Sequence, residues 1–203
     1  MRTETIDLHR RVILDPGEYY ASNTPVTIST LLGSCVSACL FDPVNKVMGM
    51  NHFMLSHQRY AKDMPMTQTE AGRYGIHSME LLINEMLKLG AEKHLVKAKA
   101  FGGSTINNRS MDTSNFLCVG SVNSKFIREF LAYEEIPLLA ENLGGKTGRV
   151  IHFSYGDFVV YMRKIKSIDK SRRIATRDRE CWQHAINEQN MRDTMMNNVE
   201  LWE

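Results

Sequence analysis

Apolar positions change their spacing several times along the chain, and each change marks an element. Residues 26–31 (Val-Thr-Ile-Ser-Thr-Leu) alternate and are rich in β-branched side chains, which predicts a strand running into Gly33. Residues 36–41 and 47–55 are two nearly continuous apolar runs, separated by the turn formers Asp42-Pro43-Val44-Asn45-Lys46. Strands joined this closely predict an antiparallel hairpin. A turn centred near Val44 would set Cys35 opposite His52 or Phe53. Over 73–89 the spacing lengthens to that of a helix, with Ile76, Met79, Leu82, Ile83, Met86 and Leu87 on one side and Gly90 as the stop. Residues 122–133 predict a second helix with Phe126, Ile127 and Phe130 inward. Further strands are expected at 12–14, 95–101, 136–140, 150–153 and 158–162.

Many strands with two amphipathic helices predict a layered α+β domain with mixed sheets over 12–162. Residues 1–11 are polar and read as a loosely held arm. The polar stretch 56–72 has no period and is long for a loop, so it is a candidate lid or substrate-contact segment following His52. Residues 163–203 are basic and then polar, with two Trp, and predict a partly helical or disordered extension. That extension is either a solvated tail or a docking element for an acidic partner or an anionic surface.

Composition removes classes of function more than it adds any. The chain has 203 residues, a one-domain length, and its 25 basic and 23 acidic residues leave a net charge of +2. That balance gives no drive toward nucleic acid, and no apolar run approaches a membrane span. The four cysteines, Cys35, Cys39, Cys118 and Cys181, show neither CxxC spacing nor a disulfide framework. This suits a reducing cytoplasm, and neither a metal nor an organic cofactor is expected.

The hairpin brings a thiol and an imidazole together. Cys35 follows Gly33-Ser34, where a loop enters a strand, and His52 follows Asn51 in an otherwise apolar run. A cysteine beside a base is the minimal arrangement for nucleophilic attack on a carbonyl. Backbone N–H groups near Ser34 and Cys35 are candidate oxyanion donors. Gly102-Gly103 offers either a second oxyanion site or a turn that lets a neighbouring strand pass.

The same residues carry a family resemblance. Leu31-Leu32-Gly33-Ser34-Cys35-Val36, Asp42-Pro43 and Gly49-Met50-Asn51-His52-Phe53-Met54-Leu55 resemble the signature of the CheD family of chemoreceptor glutamine deamidases. Arg73-Tyr74-Gly75, Lys99-Ala100-Phe101-Gly102-Gly103, Val119-Gly120 with Asn123, and Gly144-Gly145 with Gly148-Arg149 continue the match in order. The resemblance implies a three-layer α/β/β sandwich like the catalytic domain of cytotoxic necrotizing factor. It implies deamidation of glutamines on methyl-accepting chemotaxis receptors in the cytoplasm, with Cys35 as nucleophile and His52 as acid and base. In that family a threonine six residues before the cysteine supports the pair. That position is Ser29 here, with Thr30 beside it as the fallback. The full set of expected site residues is Cys35, His52 and Ser29, with Gly33, Ser34, Asn51, Thr30, Gly102 and Gly103 as substrate or oxyanion candidates. A thiolate–imidazolium pair with a lowered cysteine pKa is the expected resting state. The alternative is a non-catalytic docking module that binds receptors or a CheC-like phosphatase.

Overall fold

The computed structural model describes residues 1–6, 9–55, 70–105 and 119–196. Among these residues the strands pair into two five-stranded sheets. The first contains β1 (Arg2–Ile6), β2 (His9–Leu14), β4 (Thr27–Leu32), β9 (Arg149–Ser154) and β10 (Val160–Lys164), in the order β1-β2-β4-β9-β10. The second contains β3 (Tyr19–Ser22), β5 (Val36–Asp42), β6 (Val47–Asn51), β7 (Lys97–Gly102) and β8 (Leu138–Leu143), in the order β3-β6-β5-β7-β8. Both sheets are mixed, and each owes its parallel pair to a crossover. β2 and β4 run parallel because β3, between them in sequence, joins the other sheet. β7 and β8 run parallel because α2 (Val119–Tyr133) crosses between them.

The helix α1 (Glu70–Lys88) and α2 cover the outer face of the second sheet, so the layers run helix, sheet, sheet. One core lies between helices and sheet, where Met79, Leu82, Met86, Phe126, Ile127 and Phe130 meet Ala38, Leu40 and Val47. A second core fills the space between the sheets, with Leu14, Ile28, Leu32, Ile151 and Phe153 against Cys35, Cys39, Met48 and Met50. Central β5 is buried at every position, which explains its unbroken apolar run. On α1, Leu87 is exposed rather than inward, since the buried stripe passes through Met79, Leu82, Ile83 and Met86.

The hairpin forms, but its register differs from the expected one. Asp42 pairs with Val47 and Cys39 with Met50, and Val36 bridges to Phe53. The Asp42 side chain caps the turn by accepting from the N–H groups of Val44 and Asn45, which holds four residues in the loop. Continuing the register therefore sets Cys35 opposite Met54 and His52 opposite Ser37. Cys35 and His52 become diagonal neighbours on one face instead of direct partners.

Among the described residues, both terminal stretches carry regular elements. Residues 2–6 are β1, held along β2, so the arm is an edge hairpin. The basic extension forms α3 (Ile168–Met196), a 29-residue helix that crosses the end of the sandwich where β4 feeds into β5.

Candidate functional site

His52 is placed by the turn before β3 and by β4. Its N–H donates to Glu18 O at 2.8 Å, and its carbonyl accepts from Gly17 N at 2.7 Å. The Asp15-Pro16-Gly17 turn thus fixes the backbone, and the ring points between the sheets. There Nδ1 meets Thr30 Oγ1 at 2.7 Å, while Thr30 Oγ1 lies 2.8 Å from Leu14 O. A hydroxyl has one proton, and only the hydroxyl can donate to the carbonyl. Thr30 therefore gives its proton to Leu14 O and accepts from His52 Nδ1–H. This leaves the lone pair on Nε2, which has no hydrogen-bond partner among the described residues. The arrangement fixes the tautomer a general base needs.

Ser29 is not the hydroxyl that reaches the histidine. Adjacent strand residues point to opposite faces, so Ser29 looks outward while Thr30 looks inward. Ser29 Oγ instead lies 2.8 Å from His152 Nδ1 and accepts from Arg11 Nε at 3.0 Å. Asn51 also faces away from the inter-sheet layer. Its Oδ1 accepts from Ala38 N at 2.9 Å and its Nδ2 donates to Ser78 Oγ at 3.3 Å, tying β5 and β6 to α1.

Cys35 lies in the core between the sheets, the same layer that His52 enters. The loop carrying it is clamped from several sides. Gly103 N donates to Cys35 O at 2.7 Å and Ser104 N to Gly33 O at 2.8 Å. Gly102 has φ +116°, and a Cβ on it would overlap Cys35 O. The glycine pair is a close backbone approach that anchors the cysteine loop, and the Gly103 N–H is already committed. Asn123, on α2, donates to Ser34 O and accepts from Leu55 N, both at 2.8 Å. Arg149 is buried and donates to Ser104 Oγ at 2.7 Å and to the carbonyls of Asn142 and Gly144, bracing the next loop.

Two further N–H groups flank the thiol, those of Cys35 itself and of Ser34, since Val36 N is taken by Phe53 O. Ser34 N donates to Asp178 Oδ2 at 2.7 Å, and Ser34 Oγ donates to the same oxygen at 2.9 Å. Asp178 comes from α3, and Arg177 beside it bridges Asp178 Oδ1 (2.7 Å) and Leu31 O (3.0 Å). Gly33 lies directly beneath, where a Cβ would overlap Asp178 and Ile174. Sequence reading missed Arg177 and Asp178. Neither carries a local signal, since both sit in a charged helix far from the hairpin in sequence.

Cys35 and His52 are each 0% exposed, and this sets their charge state. Burial, aided by the Asp178 carboxylate, pushes the Cys35 thiol well above its ordinary range. Burial, with the Arg177 charge, lowers His52 to about 3. Both shifts favour the neutral forms, thiol and imidazole, over the thiolate–imidazolium pair expected from the sequence. Among the described residues no group of three or more His, Cys, Asp or Glu side chains is placed to hold a metal ion. Cys118 and most of the loop expected as a lid, residues 56–69, lie outside the described residues.

A thiol and an imidazole with an open Nε2 enter the same layer between two mixed sheets, the residue types that a cysteine–histidine hydrolase requires. The comparisons then give the family. The family model described as CheD chemotactic sensory transduction matches residues 54–164. A Geobacter sulfurreducens protein named probable chemoreceptor glutamine deamidase CheD 1 is 50% identical over 202 residues, 100% of this chain and 98% of that protein. A Shewanella oneidensis protein named probable chemoreceptor glutamine deamidase CheD 2 is 44% identical over 156 residues, 76% of this chain and 77% of that protein. A Laribacter hongkongensis protein named probable chemoreceptor glutamine deamidase CheD is 40% identical over 153 residues, 75% and 71% of the two chains. The chain belongs to the CheD family. Cys35 and His52 precede the stretch the family model matches, and the alignment to the Geobacter relative spans both.

Proposed function

We propose that this protein hydrolyses side-chain amides of specific glutamines on methyl-accepting chemotaxis receptors, giving glutamate and ammonia. The observation that carries the reading is the His52 ring, locked by Thr30 with its Nε2 lone pair turned into the layer that holds Cys35. Cys35 Sγ attacks the amide carbon and its proton passes to His52 Nε2. The developing oxyanion is received by the Cys35 N–H, joined by the Ser34 N–H once Asp178 has left it. His52 then protonates the departing nitrogen, ammonia leaves, and a thioester remains. Water, deprotonated by His52, attacks the thioester carbon, releasing glutamate and returning the proton to Cys35.

Thr30 acts as a positioning residue in this scheme, since it touches only the imidazole. A neutral resting pair is compatible with attack if proton transfer accompanies C–S bond formation. The finer likeness to the catalytic domain of cytotoxic necrotizing factor belongs to the same proposal, as does a cytoplasmic site of action. No described helix is long and apolar enough to cross a membrane.

A second reading has its own observation: both reactive groups are fully buried, which suits a docking module that binds receptors or a CheC-like phosphatase without turnover. One experiment separates the two. A receptor cytoplasmic fragment is incubated with the wild-type chain and with Cys35→Ala, and its peptides are weighed. Deamidation adds about one dalton per glutamine and releases ammonia, and both signals vanish in Cys35→Ala. Binding without any mass change supports the docking module instead.

A further inference from the structure

The residues that would receive a substrate amide are already occupied by the chain's own C-terminal helix. Asp178 is 1% exposed and places one carboxylate oxygen on both Ser34 donors, immediately next to Cys35. A carboxylate carried on a helix and held at an oxyanion donor resembles the reaction product, a glutamate on a receptor helix. It is one methylene shorter. The rest of α3 is built to match. Ile174, Asp178, Trp182 and Ile186 follow one another at four-residue spacing, one line along a helix, and all are buried. Ile174 packs over Gly33, and Trp182 and Ile186 pack with Val119 and Met54. Among the described side chains of α3, Ala175 is the only other one buried, so the helix is held by a narrow stripe. An element with so few buried apolar contacts opens at a low free-energy cost relative to the sandwich.

We infer that α3 is a built-in substrate mimic: it occupies the docking surface for the receptor helix, with Asp178 in the subsite of the target side chain. The surface beneath it consists of Gly33, Ser34, Met54 and Val119. Its partner is a helix that presents a carboxamide with apolar side chains four residues before it and four and eight residues after it. A cleft of about 500 Å³ continues beside α3, lined in part by Gly17, Tyr19, Met54, Tyr74, His77 and Ala185, and gives a displaced or incoming helix room to enter. The inference rests on the deamidase reading for the identity of the competitor, but the covering of Cys35 does not depend on it.

The test uses the full-length chain with Asp178→Ala and Trp182→Ala. Iodoacetamide labelling of each cysteine is followed by peptide mass, and deamidation of a receptor cytoplasmic fragment is followed over a range of concentrations. Cys39, 0% exposed in the inter-sheet core, serves as the internal control for general loosening. Trp182→Ala leaves the Asp178 charge in place, so faster labelling in that variant reports uncovering rather than a change in thiol acidity. The expected result is a Cys35 labelling rate raised about tenfold or more in both variants with Cys39 unchanged, and a lower KM for the fragment. Labelling of Cys35 that stays at the wild-type rate, or rises only in step with Cys39 in both variants, overturns the inference. Faster labelling with an unchanged KM overturns the mimicry, since the helix then covers the thiol without competing with substrate. Faster labelling with no mass change in the fragment under any condition overturns the deamidase reading, while α3 stands as the cover of Cys35.

Discussion

The two faces of the β5–β6 ribbon bury polar groups in opposite ways. Toward the helices, Asn51 satisfies Ala38 N and Ser78, and α2 returns Asn123 to Ser34 O and Leu55 N. That face is closed, and its polar groups hold elements together. Toward the other sheet, His52 is fixed at Nδ1 and left open at Nε2, in the layer that also holds the buried Cys35 thiol. An unpartnered buried nitrogen lowers stability by about 1–3 kcal/mol, so its persistence points to a reactive role. The contrast teaches that a single pair of strands can brace the fold on one side and bury an unpartnered polar atom on the other.

Substitutions should separate the faces. The largest effect is expected from Cys35→Ala, which lowers the deamidation rate by about 10³-fold or more while the melting temperature stays near wild type. Leu82→Ala, on the closed face, should do the reverse. It removes a fully buried side chain and lowers unfolding free energy by about 3 kcal/mol in a urea titration, with kcat little changed. If Leu82→Ala also abolished turnover, the two faces would not be independent.

Next in size, Thr30→Val should reduce kcat by about 100-fold, because Nδ1–H loses its acceptor and the ring can turn or change tautomer. Thr30→Ser, which keeps the hydroxyl, should recover most of that rate. The open nitrogen also makes an acid-sensitive contribution to stability. His52 is held at about 3 by burial and Arg177, against an ordinary value near 6.5. The unfolded chain therefore takes up that proton first as pH falls. Stability from this group is complete above pH about 6.5 and is lost toward pH about 3, at up to about 1.4 kcal/mol per pH unit. Urea titrations between pH 7 and 4 should show the slope, and His52→Gln should flatten it. The smallest effect is expected from Ser29→Ala. Its partners, Arg11 and His152, lie on the outer face, so the rate should change by less than about threefold. A loss matching that of Thr30→Val would return Ser29 to the site.

Much of the fold was legible because burial on one or two faces leaves a periodic record. The runs at 36–41 and 47–55, the stripe from Met79 to Met86, and the Phe126–Phe130 cluster each located an element. β1 and β3 left no such record. They are edge strands, which require little apolar content. That the cysteine and histidine share a layer was legible because a short hairpin links them locally, and the family signature lies on the same residues.

Which hydroxyl meets His52 could not be read from residue spacing, since Ser29 and Thr30 differ only in the face each strand position presents. That face was decided by how β4 lies between β2 and β9, through pairings distant in sequence. The charge state of Cys35 was likewise set by enclosure between two sheets and by a carboxylate from α3, 143 positions further along. That separation is the difference between residues 178 and 35. Local sequence thus determined most of the strands, the hairpin and the candidate residue types. Only the packing of distant segments decided which polar groups meet, because hydrogen bonds and desolvation depend on neighbours in space rather than along the chain.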